Sequence, residues 1–124
     1  MMKTSQEDYL EAILIQIKKS GACRVTDVAN QIGFTKASTS VALRKLEEEG
    51  FVSRDDWRVL LTDKGMATAK ATYERHSFFA DLFKKLGIAD DVAEMDACRI
   101  EHVLSDETYE RLKEYVKNRA EQLV

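Results

Sequence analysis

The chain has 124 residues, 44% of them hydrophobic and 33% charged, and a formal net charge of −3. That length and balance suit a folded chain with one core or two small ones sharing an interface. They leave no apolar run of membrane-spanning length, and two cysteines, Cys23 and Cys98, are too few for a disulfide framework, so a cytoplasmic protein with reduced thiols is expected.

The pattern of apolar residues and caps predicts mostly helix. Thr4 or Ser5 opens a first helix to Lys19, with Leu10, Ile13, Leu14 and Ile17 on one face and Gly21 ending it. Thr26 is expected to cap a short helix ending at Gly33, and Thr35 a second one running to Gly50, which together make a helix-turn-helix. Phe51 to Arg54 and Arg58 to Leu61 read as two strands of a hairpin around Asp55, Asp56 and Trp57, the wing of a winged helix. Thr62 caps a long helix to Gly87 whose stripe is Met66, Ala69, Tyr73, His76, Ala80 and Phe83. A further helix is predicted from Asp90 to Leu104, with Ala93, Ala97, Ile100 and Leu104 on its apolar side and Cys98, Glu101 and His102 on the other. Ser105 caps a last helix with the stripe Tyr109, Leu112, Val116 and Leu123.

Charge is unevenly spread along these elements. From Lys18 to Leu46 six basic residues face one acid, Asp27, whereas from His76 to Val124 eleven acids outnumber seven bases. A basic N-terminal part suits double-stranded DNA and an acidic C-terminal part suits cations. In the second helix of the pair, Lys36, Ala37, Ser38, Ser40 and Arg44 present small or polar side chains that let the helix approach base edges. Thr35 and Lys36 at its start, with Arg54 and Arg58 in the wing, are placed to meet phosphates.

Six residues form a candidate metal set: Asp8, Glu11, His76, Cys98, Glu101 and His102. Asp8 and Glu11 stand at i and i+3, and Cys98, Glu101 and His102 at i, i+3 and i+4, spacings that put each group on one helical face. Each has a plainer reading: Asp8 as a cap, Glu11 as a solvated charge, His76 as a hydrogen-bonded core histidine. A thiol beside imidazole and carboxylate on the polar side of a helix nevertheless suits a divalent transition ion.

The segments QEDYLEAI, TDKG with YERH, and ACRIEHVLSDE resemble the diphtheria toxin repressor and manganese transport regulator family over essentially the whole chain. The resemblance implies a dimeric winged-helix repressor that binds operator DNA when loaded with Fe2+ or Mn2+ and controls metal homeostasis genes. It also implies ligand roles for Asp8, Glu11, His76, Glu101 and His102, which match the manganese type. Cys98 matches the iron type instead, which makes the implied site a hybrid; Ala80 and Glu94 stand where the iron type carries a glutamate and a histidine of an ancillary site. Hard carboxylates favour Mn2+ or Fe2+ and a thiolate tilts the set toward Fe2+, with Zn2+ or Co2+ able to substitute in vitro.

The expected organisation is a winged helix-turn-helix DNA-binding domain over residues 1–61 and a helical metal-binding and dimerisation domain over 62–124. The dimer interface is expected around Phe79, Leu82, Leu86, Ile100 and Leu104, which add apolar surface beyond the His76 stripe. No nucleophile, phosphate loop or acid and base pair calls for an enzyme. Two rival readings are a winged-helix regulator of a non-metal signal and, more remotely, a binuclear metal hydrolase.

Overall fold

The computed structural model describes the backbone over residues 4–122 and side chains over 6–119. Its elements are α1 (Thr4–Ser20), α2 (Val25–Ile32), α3 (Lys36–Glu48), β1 (Val52–Asp55), β2 (Arg58–Leu61), α4 (Asp63–Lys85), α5 (Asp90–Ile100) and α6 (Asp106–Gln122). They divide into two compact units, one up to Tyr73 and one from Glu74, the division falling within α4. The expected caps Thr4 and Ser5, and Leu123 of the last stripe, have side chains outside the described residues.

In the first unit α1 buries Tyr9, Leu10, Ala12, Ile13 and Leu14 against α2 and α3. These positions recur at three and four residue steps, so one face of the helix is removed from water, at roughly 25 cal/mol for each Å² of apolar surface. Gly21, at φ +83°, ends α1 in the left-handed region that favours glycine. The cap of α2 differs from expectation. Arg24, not Thr26, is the N-cap, its N–H donating to the Asp27 carboxylate at 2.9 Å, and Thr26 already lies inside the helix. Asp27 three residues past the cap was the stronger local signal, since its carboxylate satisfies an N–H that the helix leaves without a partner. Thr35 caps α3 as expected, its hydroxyl accepting from Ser38 N–H at 3.1 Å.

The wing is an antiparallel pair in the register Val52↔Leu61 to Asp55↔Arg58. The turn is therefore only Asp56 and Trp57, with Asp55 in the strand and Asp56 at φ +59°, a conformation Asp tolerates better than most residues. Val59 N–H also donates to the Cys23 carbonyl at 2.8 Å, tying the hairpin to the segment ahead of α2.

The TDKG segment is a structural joint. Thr62 Oγ donates to the Gly50 carbonyl at 2.6 Å and accepts from Gly65 N–H at 3.1 Å, which caps α4. Gly65 passes so close to the Phe51 backbone that an added Cβ would lie 1.9 Å from its carbonyl oxygen.

The second unit has a smaller, aromatic core. Phe79, Ala80, Ala97 and Tyr109 are buried, with Phe78, Phe83, Ile100, Leu104 and Leu112 packed against them. Phe78 meets Phe79 and Tyr109 edge-on at 5.0 and 5.7 Å between ring centroids, the arrangement that ring quadrupoles favour. Ser105 caps α6, accepting from Thr108 N–H at 3.1 Å. Helix α5 is shorter than predicted: it stops at Ile100, and residues 101–104 form a turn. The Arg75 guanidinium supplies the reason. It donates to the Leu104 carbonyl at 2.8 Å and the Glu101 carbonyl at 3.3 Å and pairs with Asp106, replacing partners that a longer helix would have supplied.

Candidate metal centre and nucleic-acid interface

The end of α5 and the turn after it carry the metal candidates of the second unit. Cys98 is exposed, whereas Glu101 and His102 are buried, with Glu101 only 2% accessible. The shortened helix changes their setting: Glu101 and His102 do not line the solvent side of a helix but lie buried on the turn that follows it. Each Glu101 oxygen faces an imidazole, Oε1 at 3.2 Å from His102 Nε2 and Oε2 at 3.1 Å from His76 Nδ1. Cys98, Glu101 and His102 each offer a ligand atom, thiol sulfur, carboxylate oxygen and ring nitrogen, within 4.8 Å of one another.

That donor set fits a transition ion. A buried carboxylate between two imidazoles is costly to desolvate unless cationic charge compensates it, and a thiol with imidazole excludes the hard all-oxygen shells of Mg2+ or Ca2+. A bound divalent ion would supply the charge, with Glu101, His102 and His76 as hard and borderline donors and Cys98 as a soft one.

Behind His76 lies a group that sequence reasoning did not assign to the site. Glu94 Oε2 is 2.6 Å from His76 Nε2 and Glu94 Oε1 is 2.8 Å from Lys84 Nζ. The Lys84 ammonium first, and then His76, holds the Glu94 carboxyl below the usual carboxylate range. Arg75 was also missed: its partners, the Glu101 and Leu104 carbonyls, lie 26 and 29 residues further along the chain, and nothing local signals them.

In the first unit, Asp8 and Glu11 lie one turn apart on α1, both partly buried, the i, i+3 relation read from the sequence. The nucleic-acid candidates gather elsewhere in that unit. A cleft of about 520 Å3 is lined by Lys36, Ser40 and Arg44 of α3, Arg54 of β1, and Arg24 and Trp57. Lys36, Ala37 and Ser38 are exposed at the start of α3, while Thr39 is buried and donates back to the Thr35 carbonyl at 2.8 Å. Arg24 and Trp57 are not among the residues expected to contact DNA. The Arg24 guanidinium stacks on the indole at 4.3 Å from the ring centroid, which extends the basic lining to the turn of the wing. Arg58 differs from its wing neighbour Arg54 in holding an ion pair with Asp55 at 2.7 Å.

Of the expected interface residues, Phe79 is 2% exposed and already enclosed in the core of its own chain. Ile100 and Leu104 are half-buried against that core, Leu82 is partly buried, and Leu86 is 69% exposed.

A winged helix with a basic cleft, and a helical unit with converging thiol, carboxylate and imidazole donors, define a metal-responsive transcriptional regulator. The comparisons agree: residues 1–58 match the model of the iron-dependent repressor N-terminal DNA-binding domain, and residues 62–122 that of the iron-dependent repressor metal-binding and dimerisation domain. The chain belongs to the iron-dependent repressor family of metal-dependent transcriptional repressors. It is 33% identical to an uncharacterised helix-turn-helix transcriptional regulator of Methanocaldococcus jannaschii, over 94% of this chain and 95% of that one. It is 31% identical to the transcriptional regulator MntR of Escherichia coli O157:H7, over 86% and 70% of the two chains. Among solved structures, a manganese-dependent transcriptional repressor in complex with manganese superposes with a TM-score of 0.80 at 30% identity, over 90% of this chain and 52% of that one. Among the described residues no helix is long and apolar enough to cross a membrane.

Proposed function

We propose that this repressor binds double-stranded operator DNA as a homodimer when Fe2+ or Mn2+ occupies a site formed by His76, Cys98, Glu101 and His102 and completed by Asp8 and Glu11. In this reading residues 1–61 are the DNA-binding domain and 62–124 the metal-binding and dimerisation domain. The observation that carries it is Glu101: a carboxylate 2% accessible, faced by two imidazoles and near a thiol, is an arrangement that a divalent ion stabilises.

Regulation follows from where the ligands sit in the chain. Asp8 and Glu11 belong to the helix ahead of the helix-turn-helix, so ligating them to the ion together with residues of the helical domain restricts how the reading heads are held. A dimer reads two half-sites about one helical turn of DNA apart, so only a restricted spacing binds tightly. The helical domain's exposed apolar residues, Leu86, Val92, Met95 and Val103 among them, supply surface for a second copy, with Leu82, Ile100 and Leu104 at its margin. In DNA binding, Lys36, Ala37, Ser38, Ser40 and Arg44 approach the major groove, and Thr35 and Lys36, with Arg54 and Arg58 of the wing, meet the backbone phosphates.

On the metal, the carboxylates and imidazoles suit Mn2+ and Fe2+ alike, the similarity to a manganese-dependent repressor favours Mn2+, and Cys98 tilts the set toward Fe2+, with Zn2+ and Co2+ as in vitro substitutes. The test is anaerobic titration of Fe2+, Mn2+, Co2+ and Zn2+ into the protein with an operator selected from random duplexes, following DNA binding by fluorescence anisotropy. Metal-dependent binding by a dimer is the expected result. Equal binding in a chelator would reject the metal reading in favour of a regulator of another signal.

A further inference from the structure

Glu94 stands one turn before Cys98 on α5, and each of its carboxylate oxygens is engaged by a residue of α4. Oε2 meets His76 Nε2 at 2.6 Å and Oε1 meets Lys84 Nζ at 2.8 Å. The second nitrogen of the same ring, Nδ1, faces Glu101 Oε2 at 3.1 Å. The two nitrogens of His76 therefore address different carboxylates, one half-exposed and one fully buried.

An imidazole that binds a cation must offer a lone pair on one nitrogen and carries its proton on the other, and the partner of that proton decides which nitrogen is which. A carboxylate gripped at both oxygens cannot rotate without losing one contact, so it defines the ring plane as well as the tautomer. Glu94 is poorly suited to be a ligand itself, because the Lys84 ammonium bound to it repels a second cation at that position. The residue that would join it in an ancillary site, at position 80, is a buried alanine.

We propose that Glu94, anchored by Lys84, is a positioning residue for His76: it accepts the Nε2–H, fixes the ring, and presents Nδ1 to the ion beside Glu101. This rests on reading the His76, Glu101, His102 and Cys98 cluster as the metal site. It adds a second layer to that site, made of a carboxylate and a lysine, which neither the ligand spacing nor the family models assign.

The test separates the two levels. The chain has only two histidines, so 15N-detected long-range proton correlation spectra of the Zn2+-loaded protein report the tautomer of His76 directly, with His76→Ala giving the assignment. Wild type is expected to carry its proton on Nε2. Glu94→Ala should lose that defined state and bind Zn2+ and Mn2+ roughly 10- to 100-fold more weakly in competition with a chelating indicator, the range typical of outer partners of ligating histidines. Glu94→Gln keeps an acceptor oxygen and should retain the Nε2–H tautomer and most of the affinity, while Lys84→Ala should give a smaller loss. Thermal unfolding without metal checks that each variant folds. Wild-type affinity and an unchanged tautomer in Glu94→Ala would overturn the proposal, as would Glu94→Gln behaving like Glu94→Ala, which would point to a ligand role for the charge. No uptake of either ion by the wild type would reject the metal site itself and not merely its outer layer.

Discussion

The two units solve the problem of buried polar groups in opposite ways. In the first unit the buried polar side chains among the described residues are Thr39 and Thr72, and each hydroxyl donates one helical turn back, to the Thr35 carbonyl at 2.8 Å and the Thr68 carbonyl at 3.0 Å. Such groups are satisfied within their own helix and ask nothing of a ligand. In the second unit the buried polar residues among the described ones are Glu101 and His102, beside the small core of Phe79, Ala80, Ala97 and Tyr109. Their ionised forms are stable there only with opposite charge nearby. The buried hydroxyls of the first unit are thus satisfied within one helix, whereas the buried carboxylate of the second is set against imidazoles brought from other positions of the chain.

The largest expected effect comes from removing that group's charge. Glu101→Gln preserves volume and, with Glu101 as a proposed direct ligand, should lower metal affinity by more than about 100-fold, since direct ligands matter at least as much as their outer partners. The metal-induced gain in stability, about 2.7 kcal/mol at a hundredfold excess of ion over Kd, should vanish with it. Calorimetric unfolding with and without Mn2+ measures both, and a full metal response in this variant would break the contrast between the units.

Gly65→Ala probes the other side. A Cβ set 1.9 Å from the Phe51 carbonyl oxygen forces the α4 start away from the wing, a cost of about 2 kcal/mol after the helix-propensity gain of alanine is counted. Thermal unfolding should show it as a lower midpoint, with metal affinity little changed. A midpoint equal to wild type would mean the close approach is absorbed elsewhere.

Within the metal set, Cys98→Ala should weaken metal-dependent DNA binding by about tenfold, least for Mn2+, and Cys98→Glu should raise Mn2+ relative to Fe2+, Co2+ and Zn2+, because a polarisable donor is exchanged for a hard one. If both variants keep the wild-type metal ranking, the sulfur takes no part in coordination. Within the cleft, Arg54→Ala should reduce the slope of log affinity against log salt by about one, as expected for a side chain that neutralises one phosphate, whereas Arg44→Ala should relax sequence preference. Arg58→Ala tests whether the Asp55 pair releases that guanidinium to DNA; a smaller slope change than for Arg54 is expected, because the pair must first be broken.

The smallest effect contrasts the two cysteines. Burial first, and then the Asp27 charge, push the Cys23 thiol from 9.0 to about 12. Its proton is retained in the folded state, so its contribution to stability is present below pH 9 and is lost as pH rises toward about 12. At pH 8 an alkylating reagent should label exposed Cys98 and leave Cys23 until the first unit opens, with bound metal slowing Cys98 if sulfur is a ligand. Equal labelling rates would contradict the burial of Cys23.

Much of the architecture is carried by local chemistry and was therefore legible residue by residue. Thr35, Thr62 and Ser105 cap the helices that follow them because a hydroxyl three residues ahead of an N–H satisfies it whatever the rest of the chain does. The i, i+3 and i+4 spacings of Asp8 with Glu11 and of Cys98 with Glu101 and His102 are visible for the same reason. What the linear order did not reveal are relations between residues far apart in it. The stop of α5 at Ile100 depends on Arg75, twenty-six residues before Glu101, taking the carbonyls of the turn. The burial of Glu101, the bridge from His76 through Glu94 to Lys84, and the Arg24 stack on Trp57 are likewise made by side chains from different elements. Periodicity and capping are properties of one stretch of backbone, whereas desolvation and the choice of a charge's partner are properties of packing, and only the tertiary structure decides them.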